Sequence, residues 1–124
     1  MTESWTLADG AAALTGDEAV ESLRRRIAGG GLETWLTSRA GRSLAVVSNT
    51  ERAMVLLLDA EGEPEGHAVD PVAPGTSGGF VLANGQCDVY PDRDTVPLVE
   101  AFRTVRRLIA TGEPPTGAGW AVDR

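Results

Sequence analysis

The stretch from Phe80 to Ile109 constrains the fold more than any other part of the sequence. Two apolar runs are joined by Asn84-Gly85 and are followed by a polar segment and a helical pattern. Asn-Gly between apolar runs favours a type I′ β-turn, because both central residues of that turn need a positive φ. Pro91 cannot donate to a strand ladder, so the second strand should end there. The sequence therefore predicts a β-hairpin that leads directly into a helix.

The helix after this hairpin is predicted to begin near Asp94 or Thr95. Either side chain can accept a hydrogen bond from the first unpaired N–H groups, and Pro97 suits the first turn. Gly112, with two prolines at 114–115, is typical of a helix end. The apolar residues recur at helical spacing and should face the core: Leu98, Ala101, Phe102, Val105, Leu108 and Ile109.

The N-terminal part predicts a short strand at 5–8 and then a helix. Thr15 and Glu18 have the spacing of a capping box, in which each side chain satisfies the other residue's backbone donor. The glycines at 29–31 should end the helix in a left-handed conformation. The arginines at 24–26 complement the helix dipole, and a phosphate site is the less favoured alternative because adjacent residues do not share one helix face.

Three further strands are predicted at 32–38, 44–48 and 53–58, joined by short turns that favour an antiparallel meander. The third is the most apolar, which predicts a central strand covered on both faces. Trp120 is expected to pack back onto the domain in a tail strand or as a plug. The prediction is one α+β domain over 1–124, with a mainly antiparallel sheet of five to six strands flanked by two helices.

Residues 59–79 show no periodicity and are rich in Gly, Pro and acids, which predicts a long loop. Such a loop is either a mobile, solvated excursion or a binding surface carried by a rigid scaffold. Its acidic residues are the candidate contacts for a basic partner: Asp59, Glu61, Glu63, Glu65 and Asp70.

The formal net charge of −7 argues against direct nucleic-acid binding, which needs a basic surface. It is compatible with a basic protein partner, and equally with acidity that only maintains solubility. No apolar run approaches the length of a membrane span, and the N-terminus has no pattern of a secretion signal. We therefore expect a cytoplasmic protein with no membrane association.

The side chains that usually carry chemistry are scarce, with one cysteine and one histidine. That set cannot form an internal disulfide or the usual zinc site. Cys87 is expected to be buried in a strand, and His67 to lie in the polar loop without an orienting partner. A Cys–His nucleophile pair stays open as an alternative. The expectation is a protein that is not an enzyme and has no cofactor and no metal.

Several motifs of the last third of the chain together resemble a known family. They are the run 82–91 with its Asn84-Gly85 turn and Asp88, then 95–97, then 110–115 and finally Trp120. This order is similar to that of the first-described immunity-protein family of bacterial polymorphic toxin systems. The order of the upstream elements, a strand and a helix before the meander, also resembles that family.

This resemblance implies a small protein that binds a cognate toxin domain and occludes its active site, some of these toxins being nucleic-acid deaminases. Asp88 matches the family's acidic position, as a structural or a contact residue. The matching scaffold positions are Asn84, Gly85, Thr95, Pro97, Gly112 and Trp120. The alternatives are a general protein-interaction module without a toxin partner and a small enzyme, which would lose an activity on replacement of His67 or Cys87.

Overall fold

Nine β-strands and two α-helices make up the part of the chain that the computed structural model describes, residues 3–123. The strands are β1 (Trp5–Leu7), β2 (Glu33–Ser38), β3 (Ser43–Ser48), β4 (Arg52–Leu58), β5 (Pro64–Ala68), β6 (Thr76–Val81), β7 (Cys87–Pro91), β8 (Val96–Pro97) and β9 (Trp120–Val122). The helices are α1 (Gly16–Ala28) and α2 (Leu98–Thr111).

Seven of these strands form one antiparallel sheet in the order β1-β2-β3-β4-β5-β9. The remaining member, β8, pairs with the start of β4, where Ala53 lies opposite Val96. Strands β6 and β7 form a separate antiparallel hairpin. The α+β prediction is confirmed, with two helices and a mainly antiparallel sheet that has more strands than expected.

One face of the sheet packs against both helices and forms the main core. Inward and outward residues alternate along these strands, because successive side chains of a strand point to opposite faces. The inward residues of β2, β3 and β4 lie opposite one another, as do Leu36, Leu44 and Leu57. The predicted apolar stripe of α2 lies in this core or against it. The largest fully buried side chains of the cluster are Trp5, Leu23, Leu36, Leu44, Leu57 and Leu108.

The other face of the sheet is partly covered by the hairpin, which contacts β3. Ala45 and Val47 of β3 are buried there, outside the main core, and so is Phe80 of β6. The prediction that 53–58 is a central strand is confirmed, since β4 lies between β3 and β5. Its outer face is only half-buried, however, whereas β3 is buried on both faces. Which strand is covered on both faces therefore depends on the hairpin, which comes from a later part of the sequence.

The prediction of a long loop at 59–79 was wrong. Strand β5 pairs with β4, and β6 supplies the first half of the hairpin. The inward positions of β5 are Gly66 and Ala68, which carry too little apolar surface to show the strand period. Gly66 is required there, because a Cβ atom would lie 2.5 Å from Nε1 of Trp120.

The predicted helix ends are mostly confirmed. Thr15 Oγ1 accepts from the Glu18 N–H at 3.1 Å, and the Glu18 carboxylate accepts from the Thr15 N–H at 2.8 Å. Gly112 has φ 76° and ends α2 in the left-handed conformation. At the end of α1 the left-handed residue is Gly30, with φ 89°. Of the neighbouring arginines, Arg26 pairs with Asp9 at 2.8 Å, and the Arg24 guanidinium lies 4.6 Å from the centre of the Phe102 ring.

The hairpin exists as predicted, but its turn is not type I′. Gly85 N–H donates to the Leu82 carbonyl at 2.9 Å, and Leu82 N–H donates to the Gln86 carbonyl at 2.8 Å. Within this turn only Gly85 has a positive φ, 88°, which is typical of a three-residue loop with a glycine bulge. Asn84 instead accepts the Gln86 N–H at its side-chain oxygen, at 2.9 Å.

The start of α2 also differs from the prediction. The helix begins at Leu98, Pro97 stands in the capping position, and no side chain caps it. Thr95 is fully buried, and its hydroxyl donates to the Asp92 carbonyl at 3.0 Å. The capping residue was misplaced because 96–97 pairs with β4 before the helix begins.

Trp120 belongs to a tail strand, one of the two alternatives predicted. β9 pairs with β5, where Trp120 lies opposite Ala68 and Ala121 opposite His67. The Trp120 side chain is half-buried and packs against the main core. The C-terminal segment therefore completes the edge of the sheet.

Candidate functional site

Arg42, in the turn before β3, joins three separate parts of the chain. Its Nε donates to Glu65 at 3.2 Å, and its Nη1 donates to the Gly112 carbonyl at 2.9 Å and to the Glu3 carboxylate. Glu65 is thus held in an intramolecular ion pair on β5. It was predicted as a partner contact, but the structure gives it a role within the fold.

Arg52, at the start of β4, forms a second network with the segment around Thr95. Its Nη2 donates to Asp70 at 2.9 Å and to the Thr95 carbonyl at 3.0 Å, and its Nε donates to the Thr95 hydroxyl at 2.8 Å. Both side chains of the Arg52–Asp70 pair are largely buried. Asp70, a second predicted contact, therefore also compensates an internal charge.

The turn between β4 and β5 carries three of the predicted acids. Asp59 Oδ1 accepts from the N–H groups of Glu61 at 2.9 Å and Glu63 at 3.0 Å, so Asp59 organises the turn. Glu61 and Glu63 are exposed. These two carboxylates are the members of the predicted acidic set that the turn presents to solvent.

Asp88 lies on β7, in a different layer from the β4–β5 turn. Its carboxylate accepts from the Tyr90 hydroxyl at 2.9 Å and from Gln86 Nε2 at 2.7 Å. Burial, the hydrogen bond to Asp88 and the negative charges of Asp88 and Glu33 raise the pKa of Tyr90 to about 12. The predicted acids thus lie in different elements, and Asp88 shares its surroundings with Glu33, which the sequence analysis did not single out.

Glu33 anchors the tip of the hairpin to the sheet. Its carboxylate accepts from the Ala83 N–H at 2.8 Å and from Trp35 Nε1 at 3.1 Å. At the other end of the hairpin, Asn49 Nδ2 donates to the Gly78 carbonyl at 3.0 Å. The hairpin is therefore fixed at both ends on the outer face of the sheet.

His67 does not lie in a loop without partners, as was predicted, but on β5 between two carboxylates. Nδ1 lies 2.9 Å from Asp123 Oδ2, and Nε2 lies 3.2 Å from Asp94 Oδ1. Burial lowers the pKa of His67, but the hydrogen bonds and charges of Asp123 and Asp94 outweigh it, so the pKa is raised. The two carboxylates contact different ring nitrogens and do not converge on one point.

This arrangement occupies both nitrogens of His67 and leaves neither of them facing Cys87. Cys87 is exposed on β7, so its predicted burial was wrong. The hairpin is covered by the sheet on one side only, and Cys87 points to the other side, opposite Val81. The His67 cluster links β5, β9 and the turn before β8, which is a structural arrangement.

The surface missed by the sequence analysis is apolar. Trp35, Val81 and Val89 are 38%, 40% and 65% exposed. Val81 and Val89 lie on the side of the hairpin away from Phe80, and Trp35 lies beside the hairpin tip through Glu33. A signal was available, since residues 80–82 are apolar on both sides of their strand, more than one covered face requires.

A groove of about 660 Å³ runs between α2 and the segment before β9. Its walls include Val69, Val96 and Pro115, and arginines of α2 form the rim. Those arginines already have partners: Arg103 pairs with Glu100 at 2.9 Å, and Arg106 pairs with Asp17 at 2.8 Å. The cationic face of α2 is thus mostly engaged within the fold.

Charge is distributed unevenly between the layers. The two helices carry arginines at 24–26 and at 103, 106 and 107. Residues 53–92, which include the β4–β5 turn and the hairpin, contain no Arg or Lys. The same segment carries Asp59, Glu61, Glu63, Glu65, Asp70, Asp88 and Asp92. The two helices therefore carry six of the eleven cations, whereas the β4–β5 turn and the hairpin carry acids and no cation.

No protein-family model matches the chain, and no curated protein matches it in sequence. Within residues 3–123, no group of three or more His, Cys, Asp or Glu side chains has an arrangement that could hold a metal ion. Neither helix of that part of the chain is long and apolar enough to cross a membrane.

Proposed function

We propose that this chain is a non-enzymatic immunity protein that acts in the cytoplasm. It binds a cognate bacterial toxin domain and blocks the toxin's active site. The observation that carries the proposal is the segregation of charge, in which residues 53–92 supply acids without a single Arg or Lys. An enzyme that acts on nucleic acid needs a basic groove, and a nucleic-acid deaminase is one toxin of this kind.

The scaffold supports this role because its acidic elements are held in fixed positions. The β4–β5 turn is ordered by the Asp59 carboxylate, and the hairpin is attached to the sheet through Glu33 and Asn49. A preorganised surface loses little conformational entropy when it binds. The exposed Glu61 and Glu63 raise the rate of encounter with a basic cleft, and desolvated apolar contacts then slow dissociation.

The experiment is co-expression with the C-terminal domain of a toxin encoded beside this gene. Growth should be rescued, and the two proteins should purify as one stable complex. Replacement of His67 by Gln should leave rescue unchanged, because His67 is assigned to the fold and not to a reaction. Absence of both rescue and complex would contradict the proposal and favour a general interaction module.

A further inference from the structure

We infer that the outer side of the hairpin, together with the adjacent Trp35, is the surface that docks on a basic protein partner. We call Trp35, Val81 and Val89 the hairpin face. This inference rests on the proposed function, since it locates the binding surface for that same partner. It adds a docking surface to the predicted acidic loop, of which Glu65 and Asp70 are paired within the fold while Glu61 and Glu63 stay exposed and steer the encounter.

The first argument is the concentration of exposed apolar side chains. Six large hydrophobic residues are exposed among the described residues, and three of them form the hairpin face. The other three are dispersed, with Val72 in the loop before β6, Val99 in the first turn of α2 and Val122 in β9. Val81 and Val89 share the outer side of the hairpin, and Trp35 lies beside its tip. Exposed apolar side chains grouped in this way are typical of an interface, whereas single exposed residues need no explanation.

The second argument is the charge around the face. Glu33 lies between Trp35 and the hairpin tip. Asp88 adds a second negative charge on the sheet-facing side of β7, beside Phe80 and Tyr90. No Arg or Lys occurs on either strand of the hairpin. Interfaces are complementary in potential, so this face fits a partner with cations around an apolar contact. A second copy would place like charges against each other at a two-fold interface, which disfavours self-association through this face.

The third argument is rigidity. Phe80 is fully buried, its ring centre lies 4.8 Å from that of Tyr90, and both ends of the hairpin are hydrogen-bonded to the sheet. The exposed valines therefore lie on a rigid hairpin that needs little rearrangement to bind. A few anchors near the centre of an interface, above all aromatic ones such as Trp35, provide most of the binding free energy.

The test uses matched valine substitutions. Val89→Arg places bulk and a positive charge on the hairpin face, while Val99→Arg makes the same change at a similarly exposed site on α2. Binding of the toxin domain encoded beside the gene should weaken at least about tenfold for the first variant and stay unchanged for the second. Thermal unfolding of both variants verifies that they are folded.

A second readout needs no substitution. Cys87 is the single cysteine, is exposed, and lies between Val81 and Val89 on the hairpin. Its alkylation by N-ethylmaleimide should slow strongly in the saturated complex. Suppose that the wild-type chain rescues growth. If the two arginine variants then lose binding equally or not at all, and Cys87 stays fully reactive in the complex, this inference alone is overturned. Failure of the wild-type chain to bind or rescue would overturn the proposed function as well.

The same reagents identify a different occupant. If Cys87 becomes protected in the isolated chain at high concentration, and sedimentation shows a dimer that Val89→Arg dissociates, the face is a self-association surface. That result would also overturn the inference.

Discussion

Arg52 Nη2 donates to Asp70 Oδ2 at 2.9 Å, and this pair joins the start of β4 to the segment that follows β5. The same guanidinium also binds the hydroxyl and carbonyl of Thr95, which is fully buried. An acid that sequence pattern assigns to a solvated loop is therefore part of the internal structure. This pair removes Asp70 from the acids that could meet a partner.

Replacing Arg52 by Ala should lower the free energy of unfolding by about 2–3 kcal/mol, because buried acceptors lose their donor and Asp70 loses its counterion. The control is Arg39→Ala in the exposed β2–β3 turn, with an expected change within about 0.5 kcal/mol. Urea unfolding followed by tryptophan fluorescence measures both. Equal effects of the two substitutions would show that the Arg52 network is not structural.

Gly66→Ala should destabilise the sheet edge by about 1–3 kcal/mol through overpacking. The added Cβ would lie 2.5 Å from Nε1 of Trp120 and 2.8 Å from the Ala121 carbonyl, so β9 must shift. Gly119→Ala is the matched control, since no atom lies within 4 Å of its added Cβ. Amide exchange of β9 measures the shift, and unchanged protection in the Gly66 variant would contradict the packing described.

The His67 cluster should make stability depend on pH. The pKa of His67 is raised in the folded state, so the folded chain holds this proton more tightly than the unfolded chain does. The resulting stabilisation is complete below the ordinary pKa of about 6.5 and is lost as pH rises through the raised pKa. The difference in unfolding free energy between wild type and His67→Gln should therefore shrink with rising pH.

Because the chain has one histidine, its ring protons can be followed by NMR without ambiguity. Asp94→Asn and Asp123→Asn should each lower the pKa of His67, while Asp17→Asn, on α1, should not change it. A His67 pKa at or below its ordinary value in the wild-type chain would refute the pairing of His67 with the two carboxylates.

The exposed acids of the β4–β5 turn should govern the rate of association. Neutralising Glu61 and Glu63 to Gln should slow binding to the toxin domain severalfold at low salt and change dissociation little. The control neutralises Glu21 and Glu113, which are also exposed but lie outside residues 53–92. Stopped-flow rates at several salt concentrations test this, and equal rates for both double variants would remove the turn from the mechanism.

The sequence predicted those elements whose signals are local. The capping box of Thr15 and Glu18, the glycine end at Gly112 and the apolar stripe of α2 depend on residues within a few positions of one another. All three are present in the structure.

The errors arose where distant parts of the chain decide the outcome. Gly66 gives no strand signal, since its partner Trp120 is supplied from the far end of the sequence. Glu65 and Asp70 appear solvated until Arg42 and Arg52 are brought to them by the sheet. His67 gains its two carboxylates in the same way, from the turn before β8 and from the end of β9.

The most direct test of the account is a titration of the purified toxin domain's activity with this chain. The account predicts a linear fall in activity that reaches zero at one equivalent, since a blocked active site gives stoichiometric inhibition without turnover. Full toxin activity at a large excess of the folded chain would contradict the account.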